Sequence, residues 1–348
     1  MSSHSLSPAR AHGLVCGDLQ AGATNRITDV AGVTVGHQTV RQGSFRTGFT
    51  AVLPHPGNLF LEKLPAGVDV INGFGKSAGL IQVEELGTLE TPVLLTNTFA
   101  VGTGINALIR RELSVNPDID RSGGTVNPVV MECNDGYLSD INAMVLREED
   151  AFAALDAASE DFEQGSVGAG TGISAFGFKG GIGSASRVFE LGQRGFTLGA
   201  LVQANFGKPG DLILPDGRKP QPPTGGQTVE RGSVIVVLAT DVPLESRQLK
   251  RVARRAAAGL GRLGAFYGNG SGDIALAFST AQRLPHTHGS DFIARDILQE
   301  EKIDLLFKAV AETTQEAVLN AMIASPAMQG FKGRSRPSLA DWLENQAG

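Results

Sequence analysis

The sequence predicts an α/β protein in which two β-sheets are covered by helices, and three observations lead there. Short apolar and β-branched runs recur along most of the chain between turn residues, which is the pattern of strands. Only a few segments carry apolar residues at helical intervals, and many short strands interspersed with a few helices fit layered sheets with helical covers. The 45 glycines, about twice the average share, are too scattered for a flexible linker and imply tight turns and close backbone approaches.

In chain order, Val33 to Gly36, Thr50 to Pro54 and Val68 to Gly73 read as strands with tight connections. Ser77 to Leu86 is expected to be a short helix ending before Gly87, and Pro92 to Leu95 a buried strand. Gly104 to Leu113 reads as a helix with Arg110 and Arg111 at its C-terminal end, where the dipole favours cations. Val129 to Glu132 is a strand leading into a polar loop, and Glu149 to Ala158 a helix with Ala151, Leu155 and Ala158 on one face. Gly165 to Ser186 holds eight glycines and reads as turns or as a backbone cradle. Thr197 to Gln203 is a strand, Gly207 to Gln227 a long Pro/Gly surface loop, and Ser233 to Ala239 a central strand by its unbroken apolar run. Ser246 to Leu260 places Leu249, Val252, Ala253, Ala256 and Leu260 on one helical face, and Asp291 to Asn320 is expected to be mainly helical.

The formal charge of −6 offers no basic field, so nucleic acid is not the expected partner. The basic residues Lys250, Arg251, Arg254 and Arg255 read as a solvated helix face. Cys16 and Cys133 make neither a disulfide framework nor a zinc pattern. Residues 1 to 22 lack an apolar stretch of signal-peptide length, and no run approaches the ~18 apolar residues of a spanning helix. A cytoplasmic protein with no membrane partner and a loose or partner-facing N-terminal arm is expected. No phosphate loop occurs, and Gly102 to Ala107 lacks the acidic residue a dinucleotide site needs. His37, His55, His286 and His288 show no metal-binding spacing and read as surface loop residues, so no metal or other cofactor is expected.

One stretch carries chemistry. Gly268-Asn269-Gly270-Ser271-Gly272-Asp273 brackets a serine with glycines directly before the apolar run Ile274 to Phe278. It reads either as a tight turn before a core strand or as a self-cleavage site. Cutting Gly270-Ser271 would give Ser271 a free α-amine of unperturbed pKa about 7.7–8.0 beside its own hydroxyl, a nucleophile and base in one residue.

This stretch resembles the processing site of the DmpA-type aminopeptidases (L-aminopeptidase/D-esterases) and β-peptidyl aminopeptidases. So do Ile27 to Val33, Arg46 to Val52, Leu95 to Thr98, Glu132 to Leu138, Gly168 to Gly172, Leu201 to Gly207 and Gln248 to Ala256, in the family's order. The resemblance implies a four-layer αββα sandwich like that of N-terminal-nucleophile hydrolases. It implies one domain, cleaved into residues 1–270 and 271–348, and a tetramer of such units acting on short peptides, amides or esters with a free amino end.

Residue by residue, the resemblance casts Ser271 as nucleophile and Asn205 as an oxyanion donor. Glu132 becomes the acceptor of the substrate ammonium, which agrees with the cost of burying a carboxylate at the end of an apolar strand unless a cation meets it. Asn134 stands where some members carry an aromatic side chain, and Tyr137 is a nearby substitute. The family's hydroxyl and acid two positions apart fall on Thr314 and Glu316, with Thr313 and Gln315 as the other register; a neutral amide cannot stabilise charge, which favours the first. Two other functions stay open: an acyl-amide hydrolase or acyltransferase on the same scaffold, and a processed but inactive binding homologue.

Overall fold

A computed structural model describes residues 7–121, 124–223, 232–287 and 289–346. Along the chain the main strands are β1 (Thr34–Gln42), β2 (Phe45–Leu53), β3 (Glu62–Gly73), β4 (Val93–Thr96), β5 (Val129–Glu132), β6 (Gly181–Leu191), β7 (Arg194–Asn205), β8 (Ser233–Thr240) and β9 (Gly272–Ser279). The main helices are α1 (Val101–Val115), α2 (Glu148–Asp156), α3 (Ser246–Arg254), α4 (Ala256–Arg262) and α5 (Asp304–Ile323).

Strands β1, β2, β4 and β5 form a four-stranded sheet in that order. A seven-stranded sheet runs β3, β9, β8, β7, β6, with Leu284–Pro285 and Thr88–Leu89 both pairing with β3. Each sheet contains one parallel pair, β4 with β5 and β8 with β9. Parallel neighbours need a long crossover; α1 supplies the first, and α3 with α4 the second.

Three separate apolar interfaces establish four layers. Phe49, Leu94 and Val130 pack under Leu108 of α1 and Leu155 of α2. Val52, Leu95 and Met131 meet Leu201, Ile235 and Leu276 between the sheets. Val202, Val236 and Ala275 pack under Leu249, Leu260, Val310 and Val318. Side chains alternate across the pleat: in β9, Ile274, Leu276 and Phe278 enter the intersheet core, whereas Ala275 and Ala277 face the helices. With both faces buried, β8 reads as the unbroken apolar run expected of a central strand.

Several expectations need correction. The glycine-rich stretch ending at Ser186 contains the start of an eleven-residue strand, β6. A Cβ at Gly183 would stand 2.0 Å from Ala317 O, so this glycine lets α5 lie directly on the strand. The helix expected over 246–260 breaks at Arg255 into α3 and α4. Helix is absent from 291–299; Phe292, Ile293 and Ile297 there stay exposed, with no packing to hold a helix. From Ser7 onward the N-terminal arm is not loose, because the Ala9 N–H donates to Asn320 Oδ1 at 2.8 Å and those of Asp18 and Leu19 to Glu312. His55 is buried rather than superficial, its ring bonded to Glu62 O and the Gly57 N–H, and His288 lies outside the described residues. Trp342 packs against the α5 side of the core with Arg218 over its ring. On the solvated basic face, Lys250, Arg251 and Arg254 pair with Glu84, Glu300 and Asp69, and Arg255 lies over the Phe307 ring. Among the described residues no helix is long and apolar enough to cross a membrane.

Candidate active site

The site forms at one end of the seven-stranded sheet. Register places Asn205 opposite Ser233, Ser233 opposite Gly272, and Gly272 opposite Gly73, one row across four strands. Ser271 stands one residue beyond this row and is fully buried. Its N–H donates to Gly268 O at 2.8 Å, closing the Gly268–Ser271 turn, and its carbonyl accepts from the Phe74 N–H at 3.2 Å. Its hydroxyl donates to Asp273 Oδ1 at 2.8 Å. Asn205, at the end of β7, donates to Asn134 O at 3.0 Å and to Ser233 Oγ at 3.3 Å, while its Oδ1 accepts from the Ser174 N–H. The amide is therefore fixed in orientation, with its NH2 group turned to the Asn134 side.

Glu132 ends β5 and approaches the row from the other sheet. The Cys133 thiol reaches Ser233 O at 3.4 Å and Gln203 O at 3.5 Å, docking this strand end onto β7 and β8. Glu132 is 3% exposed, and the donors it meets are the Lys76 N–H at 2.9 Å and the Thr98 hydroxyl. No ion pair to it occurs among the described residues. Between Glu132 and Gly272 passes the segment Gly73–Ala78, which leaves β3 and joins β5 through the Ala78–Val130 bridge. A Cβ at Gly75 would stand 3.9 Å from Glu132 Oε1 and 3.8 Å from Gly272 Cα, so a single glycine separates the carboxylate from the start of β9. A buried carboxylate held by neutral donors, next to a serine at a glycine turn and an amide donor, is suited to holding an ammonium group beside a point of acyl transfer.

Comparison with known proteins agrees with this geometry: residues 25–336 match the model of peptidase family S58. The chain belongs to that family. It is 39% identical over 339 residues to the β-peptidyl aminopeptidase BapA of Sphingosinicella microcystinivorans, covering 90% of this chain and 84% of that one. The crystal structure of the PH0078 protein from Pyrococcus horikoshii OT3 superposes with a TM-score of 0.91 at 44% identity, covering 97% of this chain and 98% of the other. The L-aminopeptidase D-Ala-esterase/amidase of Ochrobactrum anthropi, described as a prototype of the serine aminopeptidases and a variant of the Ntn hydrolase fold, gives 0.88 at 39% identity with 98% of both chains covered. The expected resemblance, the Ntn-like sandwich and the hydrolase class of a serine aminopeptidase all stand.

Within this S58 chain the structure brings Ser271, Asn205, Glu132 and the Asn134 carbonyl to one end of the sheets, but not Thr314 and Glu316. Glu316 pairs with Arg187 Nη2 at 2.7 Å and Arg10 Nε at 2.7 Å. Arg187 shares a row with Leu198, Thr240 and Ser279, the far end of β9, while Ala317 beside Glu316 rests on Gly183 in the row of Ala275, on the helix-covered face of β6 and not at the Ser271 end of the sheet. Burial raises the Glu316 carboxyl, but Arg10 and Arg187 outweigh it and hold it below its ordinary range. Thr314 faces Gly259 of α4, and the Thr313 hydroxyl caps Ala309 O. The two-residue spacing occurs inside a regular helix, which sends the two side chains to different neighbours.

Tyr137 is occupied by cations, with the Arg336 guanidinium 3.6 Å and that of Arg334 5.3 Å from its ring. The Asn134 side chain turns back to accept the Gly136 N–H. The residues missed from sequence are those that act by placement: Thr98 and Lys76 on Glu132, Cys133 as a docking thiol, and Asp273 on the serine. Leu95 to Thr98 stands among the stretches that resemble the family, but only the fold shows that Thr98 faces Glu132. Two further buried groups flank the Glu132 loop. Burial pushes the Asp135 carboxyl up to about 7 against hydrogen bonds from Thr47 and Asn97. It pushes the Lys179 ammonium down to about 7, while its Nζ donates to Gly170 O and Gly180 O.

Proposed function

We propose that this chain is a self-processing N-terminal-serine aminopeptidase that hydrolyses amide or ester bonds of short aminoacyl substrates, β-aminoacyl groups included. The observation that carries the reading is Glu132: a buried carboxylate whose donors among the described residues are all neutral, separated from the Ser271–Gly272 turn by one glycine. In self-cleavage the Ser271 oxygen attacks the Gly270 carbonyl carbon and its proton passes to Asp273, the group it already faces at 2.8 Å. The Gly270–Ser271 C–N bond then breaks, the nitrogen takes the proton, and water hydrolyses the resulting ester. The freed α-amine serves as base for later turnovers, Glu132 holds the substrate ammonium, and Asn205 donates to the oxyanion. The name of the BapA relative supports acceptance of β-peptidyl substrates.

After cleavage the small piece, 271–348, would stay in place without a disulfide, since β9 pairs on both sides with strands of the large piece and α5 is bonded to the N-terminal arm. Cys16 and Cys133 are free thiols, in keeping with a reducing cytoplasm. Assembly into a homo-oligomer is supported by exposed apolar side chains such as Ile81 and Phe292, and light scattering after size exclusion checks it: a monomeric mass would discard it.

Intact mass spectrometry tests the central claim. Two species split between residues 270 and 271 are expected, with Ser271→Ala remaining full-length and inactive. A wild-type preparation that stays uncut yet hydrolyses free-amine anilides would overturn the amine-as-base mechanism.

A further inference from the structure

The segment Gly73–Ala78 is fastened to both halves of the site. On one side Gly73 pairs with Gly272, and the Phe74 N–H donates to Ser271 O at 3.2 Å. On the other the Lys76 N–H donates to Glu132 Oε1 at 2.9 Å, and Ala78 bridges to Val130. The segment therefore fixes the span between the nucleophile's turn and the ammonium acceptor.

Its middle residue is a glycine for which the fold shows no structural need. Gly79 nearby has φ 83°, and a Cβ there would stand 2.2 Å from Pro128 O; a Cβ at Gly272 would stand 2.6 Å from Phe74 O. Both positions exclude a side chain. Gly75 has no left-handed φ, and the nearest atom to its Cβ would be Ile274 Cδ1 at 3.3 Å, with Gly272 Cα and Glu132 Oε1 at ordinary contact distance. An alanine would fit after a small shift of a flexible isoleucine tip, but its methyl would occupy the space between Glu132 and Gly272.

Resting on the aminopeptidase reading above, we propose that Gly75 is the specificity-determining residue for the length of the aminoacyl group. The ammonium is anchored at Glu132 and the carbonyl carbon at Ser271. The atoms between them must cross the gap over Gly75: one carbon for an α-aminoacyl group, two for a β-aminoacyl group. The missing side chain leaves room for the second carbon, and a methyl there takes that room from the longer chain first.

The test compares wild type and Gly75→Ala on the p-nitroanilides of L-alanine and β-homoalanine, which carry the same side chain and differ by one backbone methylene. The ratio of kcat/KM for the β-substrate over the α-substrate is expected to fall at least about tenfold, the lower end of what one methylene is worth in a shaped pocket. Processing at residue 270 and Tm should stay near wild type. If Gly75→Ala folds poorly, Gly75→Ala/Ile274→Val removes the 3.3 Å neighbour and should give the same shift in ratio. An unchanged ratio, or equal losses on both substrates, would overturn the proposal while leaving the aminopeptidase reading intact. Wild-type enzyme silent on both would overturn that reading and this proposal together.

Discussion

Glu132 and Glu316 are both buried carboxylates, and the protein treats them in opposite ways. Glu316 sits under the N-terminal arm with Arg187 and Arg10, while Glu312 beside it also takes Arg187 and the Asp18 and Leu19 N–H groups. Every charge in that cluster has its partner, and the cluster ties the arm, β6 and α5 into one body. Among the described residues Glu132 receives a backbone N–H and a hydroxyl and no cation, at the edge of the gap beside Ser271. A carboxylate already neutralised by arginines has little left to offer a substrate, whereas one met by neutral donors is poised for a cation. The comparison teaches that the partner set, more than burial, distinguishes a carboxylate already neutralised by cations from one that is not.

The largest effect expected from breaking this contrast is on stability. Arg187→Met takes the guanidinium from Glu312 and leaves Glu316 with Arg10 as its cation; it should cost about 3–5 kcal/mol, read from denaturant midpoints, with kcat/KM per folded molecule nearly unchanged. Glu316→Gln sharpens the point: a large loss of kcat/KM at unchanged stability would return Glu316 to the chemistry and break the comparison. The next effect is on recognition. Glu132→Gln should lower kcat/KM by about 1.5–3 kcal/mol through kcat/KM on free-amine substrates, while processing and Tm hold. A fall in stability like that of the arginine variant would make Glu132 structural.

The most gradual effect, spread over several pH units, is a pH dependence. Because burial raises the Asp135 carboxyl to about 7, the folded protein keeps a proton that the unfolded chain releases near its ordinary carboxylate pKa. Stability is then greatest below that ordinary range and falls as pH rises to about 7, by about 1 kcal/mol between pH 6 and pH 7. Lys179, held down to about 7, works in reverse: its folded form sheds a proton first, so its cost is relieved as pH rises above 7. Asp135→Asn should flatten the lower limb of a Tm–pH curve, and an unaltered slope from pH 4 to pH 7 would exclude Asp135 as its source.

By itself the sequence determined the local elements and the chemical vocabulary. Alternating and unbroken apolar runs specified β5 and β8 almost to the residue, because strand patterning is written in neighbouring side chains. The glycine-bracketed Ser271 was legible because it stands where a glycine turn meets a patterned strand, whereas Asn205 and Glu132 were singled out by the family resemblance. Only the tertiary structure decided what met what. Strand β6 was hidden because its glycines answer to α5, more than a hundred residues away, and not to their own neighbours. The surroundings of Thr314 and Glu316 were not legible because spacing along a helix does not say which layer a side chain enters, and Arg187 and Arg10 come from strand and arm positions with no local link to α5. Gly75 carries no pattern at all: its meaning lies in the gap between two sheets, which exists only once both are packed.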